Sequence, residues 1–370
     1  MRIARVAATP VRVPVTRAGV MSRALRTHVS RTIVEIETDS GLTGIGETRG
    51  EWSAAIIRDR FAAAVAGKDP WDGFAIRDTC LMPHLDYGFP ELVMERYAFA
   101  GIELALWDLR GKQVGRPAYA LLGGAARERA PFVAYAYTVD PAEGRGPAEV
   151  PRIMADIARR SVAETGAAMF EFKVGRHPVE VDVEVALAIR EAVGPAVALT
   201  CDVNMGYTLD QARRFLRGAE AARLANVEEP TEALSDMERL RREFPVEVST
   251  HCWHLDALIP YPAIDSVVSD IHLHGGVEPT LAFIGRVRAM GRRFWLRSMW
   301  ELGVSWAAMC HLGLAHPDLE RPAQTLINWV ADDLVLGPPW LVRDGCVRPP
   351  ERPGWGVDLD REALARYAVS

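Results

Sequence analysis

Phe170-Glu171-Phe172-Lys173-Val174-Gly175 reads as a short buried strand that ends in a glycine turn. Glu171 and Lys173 are two residues apart, so both leave the same face of the strand. A charged pair leaving an apolar strand is costly unless it has partners or chemical work. On either side, short apolar runs alternate with amphipathic helical ones. Strands are predicted near 131–138, 168–175, 197–203, 224–229, 246–251, 266–271 and 294–298, with a weak last one at 324–329. Helices are predicted between them, for example over 178–193, 208–222, 237–243 and 279–290. Most of these strands are apolar on both faces, the pattern of a parallel sheet covered by helices. Eight such units in about 200 residues predict a closed (β/α)8 barrel. An open doubly wound sheet is the alternative, but no glycine-rich phosphate turn follows the first strand.

Upstream, the pattern differs. Residues 1–50 read as strands, with Asp39-Ser40-Gly41 as a turn between two of them. Arg17 to Thr27 reads as a mobile loop, and its Arg17, Arg23 and Arg26 can hold a substrate carboxylate. Residues 52–127 turn helical, most clearly over Arg96 to Lys112, where apolar residues recur at helical spacing. The first third is therefore α+β. The tail from Ala331 to Ser370 is rich in Pro, Gly and Asp and is expected to return to the N-terminal part. The expected division is a capping domain over 1–128, a barrel over 129–330 and a C-terminal segment over 331–370 that completes the cap.

Composition narrows the function classes. The chain has 370 residues, 49% hydrophobic and 25% charged, as in soluble globular proteins. A net charge of −6 without a basic block argues against a nucleic-acid partner. No apolar run is long enough to span a bilayer, so no membrane partner is expected. Five scattered cysteines suggest reduced thiols and a cytoplasmic setting. The start, Met1-Arg2-Ile3-Ala4, leads directly into a strand-like run, without the apolar stretch of a signal peptide.

In a parallel barrel, chemistry collects at the C-terminal ends of strands. Here successive strand ends carry Glu171 and Lys173, Asp202 and Asn204, Glu228 and Glu229, His251 and His254, Asp270, and Arg297. One acid at a strand end is commonly a helix cap. Six consecutive units with polar ends on one rim point to a site. Asp202 and Glu228 lie on neighbouring strands, and two anions facing one pocket call for a cation between them. An oxygen-ligand ion such as Mg2+ meets that need. A lysine beside a dication is usable as a general base, so Lys173 is the candidate. A metal that binds a carboxylate, plus a base, can remove a proton α to that carboxylate.

Taken together, these residues resemble the enolase superfamily over nearly the whole chain. The resemblance rests on Gly101-Ile102-Glu103-Leu104-Ala105-Leu106-Trp107-Asp108-Leu109, Leu121-Leu122-Gly123-Gly124, Lys173-Val174-Gly175, Asp202-Val203-Asn204, Glu228-Glu229-Pro230, and Asp270 with Gly275-Gly276. It implies an α+β cap, a modified barrel and a base working with Mg2+, an established pattern of that superfamily. The run Ser249 to Asp256 is similar to the mandelate racemase and glucarate dehydratase branch. Arg297-Ser298-Met299-Trp300-Glu301-Leu302-Gly303 is similar to a His-Ser-x-x-Glu-Leu-Gly pattern of many members. The resemblance also implies a homo-oligomer and a small-molecule carboxylate substrate.

Three positions depart from the family pattern. Glu171 stands where a second lysine is usual, so Lys173 is expected to pair with Glu171. His251 is the expected third metal ligand beside Asp202 and Glu228, which admits Mn2+ or another divalent ion. Ser249 and Glu247 are the fallback ligands. Arg297 replaces the histidine of a His–Asp dyad with Asp270, and a guanidinium cannot act as a base. Racemisation, which needs two bases, is therefore disfavoured. The expected activity is a one-base lyase at Lys173 that dehydrates a hydroxy or sugar carboxylate. Glu171, Asn204, Arg23, Arg26, His254 and Glu301 are the expected substrate contacts. The alternatives are a racemase, epimerase or cycloisomerase on the same enolate chemistry, and a non-catalytic anion-binding protein.

Overall fold

The computed structural model describes residues 1–81, 92–140, 146–319, 321–337 and 340–370. Three antiparallel strands come first, β1 (Ile3–Val20), β2 (Leu25–Thr38) and β3 (Thr43–Arg49). Buried β-branched residues carry the sheet, with Val13 opposite Val29, and Ile33 opposite the half-buried Thr9. Short helices α1 (Ser53–Ile56), α2 (Ala62–Val65) and α3 (Gly73–Leu81) follow. Then come the long α4 (Leu92–Val114) and the single turn α5 (Ala118–Leu121). Helix α4 lies close on β3 because Gly44 and Gly46 leave room. A Cβ on Gly46 would collide with the Gly101 carbonyl, and one on Gly44 with the Ala105 carbonyl.

The Arg17 to Thr27 segment is not the loop its polar composition suggests. β1 and β2 continue through it, with Gly19 opposite Arg26 and Val20 opposite Leu25, and only residues 21–24 turn. Tertiary docking holds it extended. Ser22 Oγ donates to the Asn204 carbonyl at 3.2 Å, and Arg23 Nη2 donates to the Met205 carbonyl at 2.6 Å. The hairpin tip thus lies over the barrel rim.

The barrel begins with β4 (Ala130–Pro131) and β5 (Ala134–Ala136). It continues through α6 (Val150–Thr165), β6 (Met169–Lys173), α7 (Val179–Val193), β7 (Ala198–Asp202), α8 (Leu209–Gly218), β8 (Leu224–Glu228) and α9 (Leu234–Glu243). The remaining units are β9 (Glu247–Thr250), β10 (Ser266–Ser269), α10 (Val277–Ala289), β11 (Arg293–Leu296) and α11 (Gly303–Ala315). β5 to β11 form one parallel sheet of seven strands in sequence order. The architecture is an α+β cap on a modified (β/α)8 barrel, as expected. Phe170 and Phe172 point outward beneath α6 and α7 and are fully buried, each contributing about 1.5–3 kcal/mol. Glu171 and Lys173, on the alternate face, point into the barrel.

The eighth strand expected at 324–329 does not form. Ala323 and Gln324 alone close the seam. Ala323 N donates to Pro131 O, Val133 N to Ala323 O, and Gln324 N to Leu296 O, at 2.9–3.0 Å. Glu301 then captures Thr325 Oγ1 at 2.6 Å and Leu326 N at 2.9 Å, which pulls the chain off the ladder into a 3₁₀ turn at Ile327–Trp329. In the tail, β12 (Cys346–Val347) pairs with β4, and α12 (Arg361–Tyr367) leads to a bridge between Ala368 and Val11. Among the described residues, no helix is long and apolar enough to cross a membrane.

Candidate active site

The sheet register sets the centre. Lys173 pairs with Asp202, and Asp202 with Glu228, so three adjacent strands place these side chains in one row inside the barrel. All three are buried. Lys173 Nζ contacts Asp202 Oδ2 directly. It therefore pairs with Asp202 and not, as expected, with Glu171. Glu171 lies one layer deeper, and both its oxygens accept from Gln324 Nε2 at 2.8 and 2.9 Å. The same amide reaches Glu228 Oε2 at 3.2 Å, so Gln324 stands between two carboxylates.

Burial dominates the electrostatics. It pushes the Glu171 carboxyl well above the usual range, the Glu228 charge adds to this, and Lys173 opposes it. Asp202 and Glu228 are also raised by burial against the pull of Lys173. Asn204 holds Asp202 through its backbone N at 2.8 Å and its Nδ2 at 3.0 Å.

Arg297 organises the other side. Its Nη1 lies 3.0 Å from His251 Nδ1 and its Nη2 lies 3.4 Å from Asp270 Oδ2. His251 Nε2 in turn contacts Glu228 Oε1. Burial, then Arg297, lowers the His251 pKa to about 4, so the ring is neutral at pH 7. Burial alone would raise Asp270. His272 and the Arg297 guanidinium outweigh it and hold Asp270 below the usual carboxylate range. Asp270 Oδ1 also accepts from the backbone of His272 and Leu273 at 2.9 and 3.0 Å.

Asn204, Met205, Glu229 and Trp300 all have left-handed backbones, with φ between 46° and 61°. Each costs about 1–3 kcal/mol, and such strain collects where a site over-determines the chain. Glu229 is held by Thr250 Oγ1 at 2.5 Å and His251 N at 2.6 Å.

Two of the other expected contacts, Arg23 and His254, lie at the surface. Arg23 is exposed and spends its guanidinium on Met205 and Glu232. His254 is exposed and rests on Trp253, with ring centroids 3.8 Å apart. Glu301 is buried and accepts from Ser298, Thr325 and Leu326, which positions the loop after β11. Arg26 sits above the site beside Trp300. Of the fallback ligands, Glu247 is bound by Arg293 and Arg321, and Ser249 accepts from Asn226 Nδ2 at 2.9 Å. Sequence reasoning missed Gln324, Tyr135, Tyr137 and the buried Arg31–Glu47 pair. A cavity of about 520 Å3, lined by Arg217, Glu220 and Phe244 among others, lies at the opposite barrel end and holds none of the residues above.

The donor set fits a divalent cation. Asp202, Glu228 and His251 each offer an atom within 4.8 Å of the other two. Three buried carboxylates, counting Glu171, crowd one space and repel, which a dication relieves. His251 meets one condition. A guanidinium can only donate, so Nδ1 accepts from Arg297 and the ring proton sits on Nε2. Coordination through Nε2 requires Arg297 to release Nδ1.

Residues 3–123 match the mandelate racemase / muconate lactonizing enzyme N-terminal domain, and residues 153–363 match the enolase C-terminal domain-like family. A probable glucarate dehydratase from Streptomyces coelicolor is 28% identical, over 91% of this chain and 84% of its own. Further relatives are named as a D-galactarolactone cycloisomerase, a muconate cycloisomerase and an N-succinyl-Arg/Lys racemase. An enolase structure from Streptomyces coelicolor, solved without Mg, superposes with a TM-score of 0.89 at 30% identity, covering 99% of this chain and 96% of that one. An enolase from Thermobispora bispora, complexed with magnesium and formate, gives 0.87 at 29% identity, covering 99% and 92%.

Proposed function

This chain belongs to the enolase superfamily, and from that premise we propose that it is a metal-dependent lyase that removes the α-proton of a hydroxy or sugar carboxylate and expels water. The observation that carries the reading is the buried row Lys173–Asp202–Glu228 at the ends of β6, β7 and β8. Lys173 takes the proton. Asp202 holds its ammonium in place, and Asn204 holds Asp202. Asp202 and Glu228 would hold Mg2+ or Mn2+, and His251 would join them once its Nδ1 is free of Arg297. When bound, the cation supplies positive charge to the substrate carboxylate as the α-proton leaves. Magnesium in a neighbouring structure, and a dehydratase among the relatives, support this reading.

Racemisation and epimerisation fit less well. Racemisation needs a second acid or base on the far face. Where the resemblance puts that group, Arg297 stands beside Asp270, and a guanidinium does not exchange protons at neutral pH. The docked hairpin tip places Ser22 against Asn204, next to Asp202. A panel of acid sugars with Mg2+ or Mn2+, followed by keto-acid formation, tests the proposal. Unchanged turnover in Lys173→Ala would sink it.

A further inference from the structure

Between cap and barrel lies a cavity of about 190 Å3, lined by Arg26, Ser30, Arg49, Trp52, Met299 and Trp300 among others. Two guanidiniums front it and no carboxylate does. Arg26 Nε is buried without a hydrogen-bond partner, and the Arg26 guanidinium lies 5.8 Å over the Trp300 ring. Arg49 donates to the Tyr97 hydroxyl at 3.1 Å and lies 5.2 Å over that ring. Among the described residues neither guanidinium has a carboxylate in ion-pair reach. Nearby arginines of the cap behave differently, since Arg5, Arg12, Arg31 and Arg60 hold Glu37, Glu51, Glu47 and Glu95.

Two half-buried cations facing one space repel and are poorly solvated, and an anion between them relieves both costs. The Arg26 pKa is depressed, by burial first, with Arg49 and Arg31 pushing the same way and Tyr137 the other. The cavity has room for about six waters, enough for a carboxylate and its neighbouring carbon.

A series of ring contacts links the cavity wall at Trp300 to Lys173. Trp300 stacks on Tyr137 at 5.3 Å, Tyr137 meets Tyr135 edge-on at 5.3 Å, and Lys173 Nζ lies 5.9 Å over the Tyr135 ring. These rings stand in series between the base and the two arginines.

We propose that Arg26 and Arg49 bind the far carboxylate of the substrate, which makes that substrate a sugar diacid. This rests on the reading of the centre as the place of the reacting carboxylate. The test uses length-matched pairs that differ only at the far end, glucarate against gluconate and galactarate against galactonate. Binding is measured by calorimetry with Mg2+ present, on the unaltered chain and on Lys173→Ala. The diacid of at least one pair is expected to bind about tenfold more tightly than its partner. Arg49→Gln and Arg26→Gln are each expected to remove most of that preference and to change the monoacid's affinity much less. Equal affinity within every pair, or no binding by any, overturns the proposal on the unaltered chain, whether or not the variants fold. A diacid preference without turnover overturns the lyase reading alone. Turnover of monoacids without the preference overturns the pocket alone.

Discussion

Arg297 Nη1 stands 3.0 Å from His251 Nδ1, so the guanidinium fixes the imidazole proton on Nε2, facing Glu228. That contact competes with metal binding twice, by occupying the nitrogen that would carry the proton and by placing positive charge beside the cation. Arg297→Ala is therefore expected to bind Mn2+ about tenfold more tightly than the unaltered chain, as read by calorimetry or electron paramagnetic resonance. Adding His251→Ala should reverse the gain. An affinity that does not move in Arg297→Ala would place His251 outside the coordination sphere.

Lys173 is asked to lose and regain a proton, so charge alone cannot replace it. Lys173→Arg keeps a cation against Asp202 but cannot deprotonate at working pH. Both Lys173→Arg and Lys173→Ala are expected to lower kcat by about 10²–10⁴-fold. Ligand binding in Lys173→Arg should change little. If Lys173→Arg keeps more than a tenth of the activity, the residue serves as a charge and not as a base.

The barrel was legible in the sequence because strand and helix periods alternate cleanly from residue 130 onward, and the rim because its polar residues interrupt apolar strands. One further signal lies in composition. Lys68, Lys112 and Lys173 are the chain's only lysines, against 40 arginines. A buried lysine in a chain that otherwise uses arginine marks a group needed for more than its charge. Gln324 was not legible, since its partner Glu171 is 153 residues away and nothing local distinguishes it. The hairpin over 17–27 was misread for a related reason. Its residues look like loop, and docking on the turn that follows β7, about 180 positions on, keeps them extended.

Asp182 supports the turn that follows Lys173. Its Oδ2 accepts from Gly175 N at 2.9 Å and from the Tyr207 hydroxyl at 2.6 Å. Burial raises its pKa from 3.8 to about 7, against the pull of those two bonds. A carboxyl raised on folding contributes stability that is full below its unfolded pKa and lost as pH rises through the folded one. The unaltered chain should therefore lose stability between about pH 4 and 7 through this group. Asp182→Asn keeps an acceptor for both donors and cannot ionise. It is expected to match the unaltered chain near pH 4 and to exceed it by about 1–4 kcal/mol at pH 8 in urea unfolding. Parallel stability–pH curves would refute this.

A chain of buried contacts joins the cap to the centre, and one ion pair anchors it. Arg31 Nε donates to Glu47 Oε1 at 2.7 Å, with both side chains essentially inaccessible. Glu47 also accepts from Leu302 N and Ser305 N at 2.8 Å each. Arg31 Nη2 lies 2.9 Å from His272 Nε2, and His272 Nδ1 lies 3.4 Å from Asp270, which meets Arg297. Arg31 Nη1 donates to the Met299 carbonyl at 3.2 Å, on the loop that carries Arg297 and Trp300. Removing one member leaves a buried charge unpaired, at a cost of about 3–5 kcal/mol. Arg31→Met is expected to show that loss in urea unfolding, whereas Arg31→Met with Glu47→Leu should recover part of it, since neither charge then stays buried. If the double variant is as unstable as the sum of its parts, the two side chains act separately and the cap is held to the barrel by packing alone. If it recovers, the ion pair is what aligns the Arg297 loop with the cap, and the same double variant should also weaken the Mn2+ dependence on Arg297.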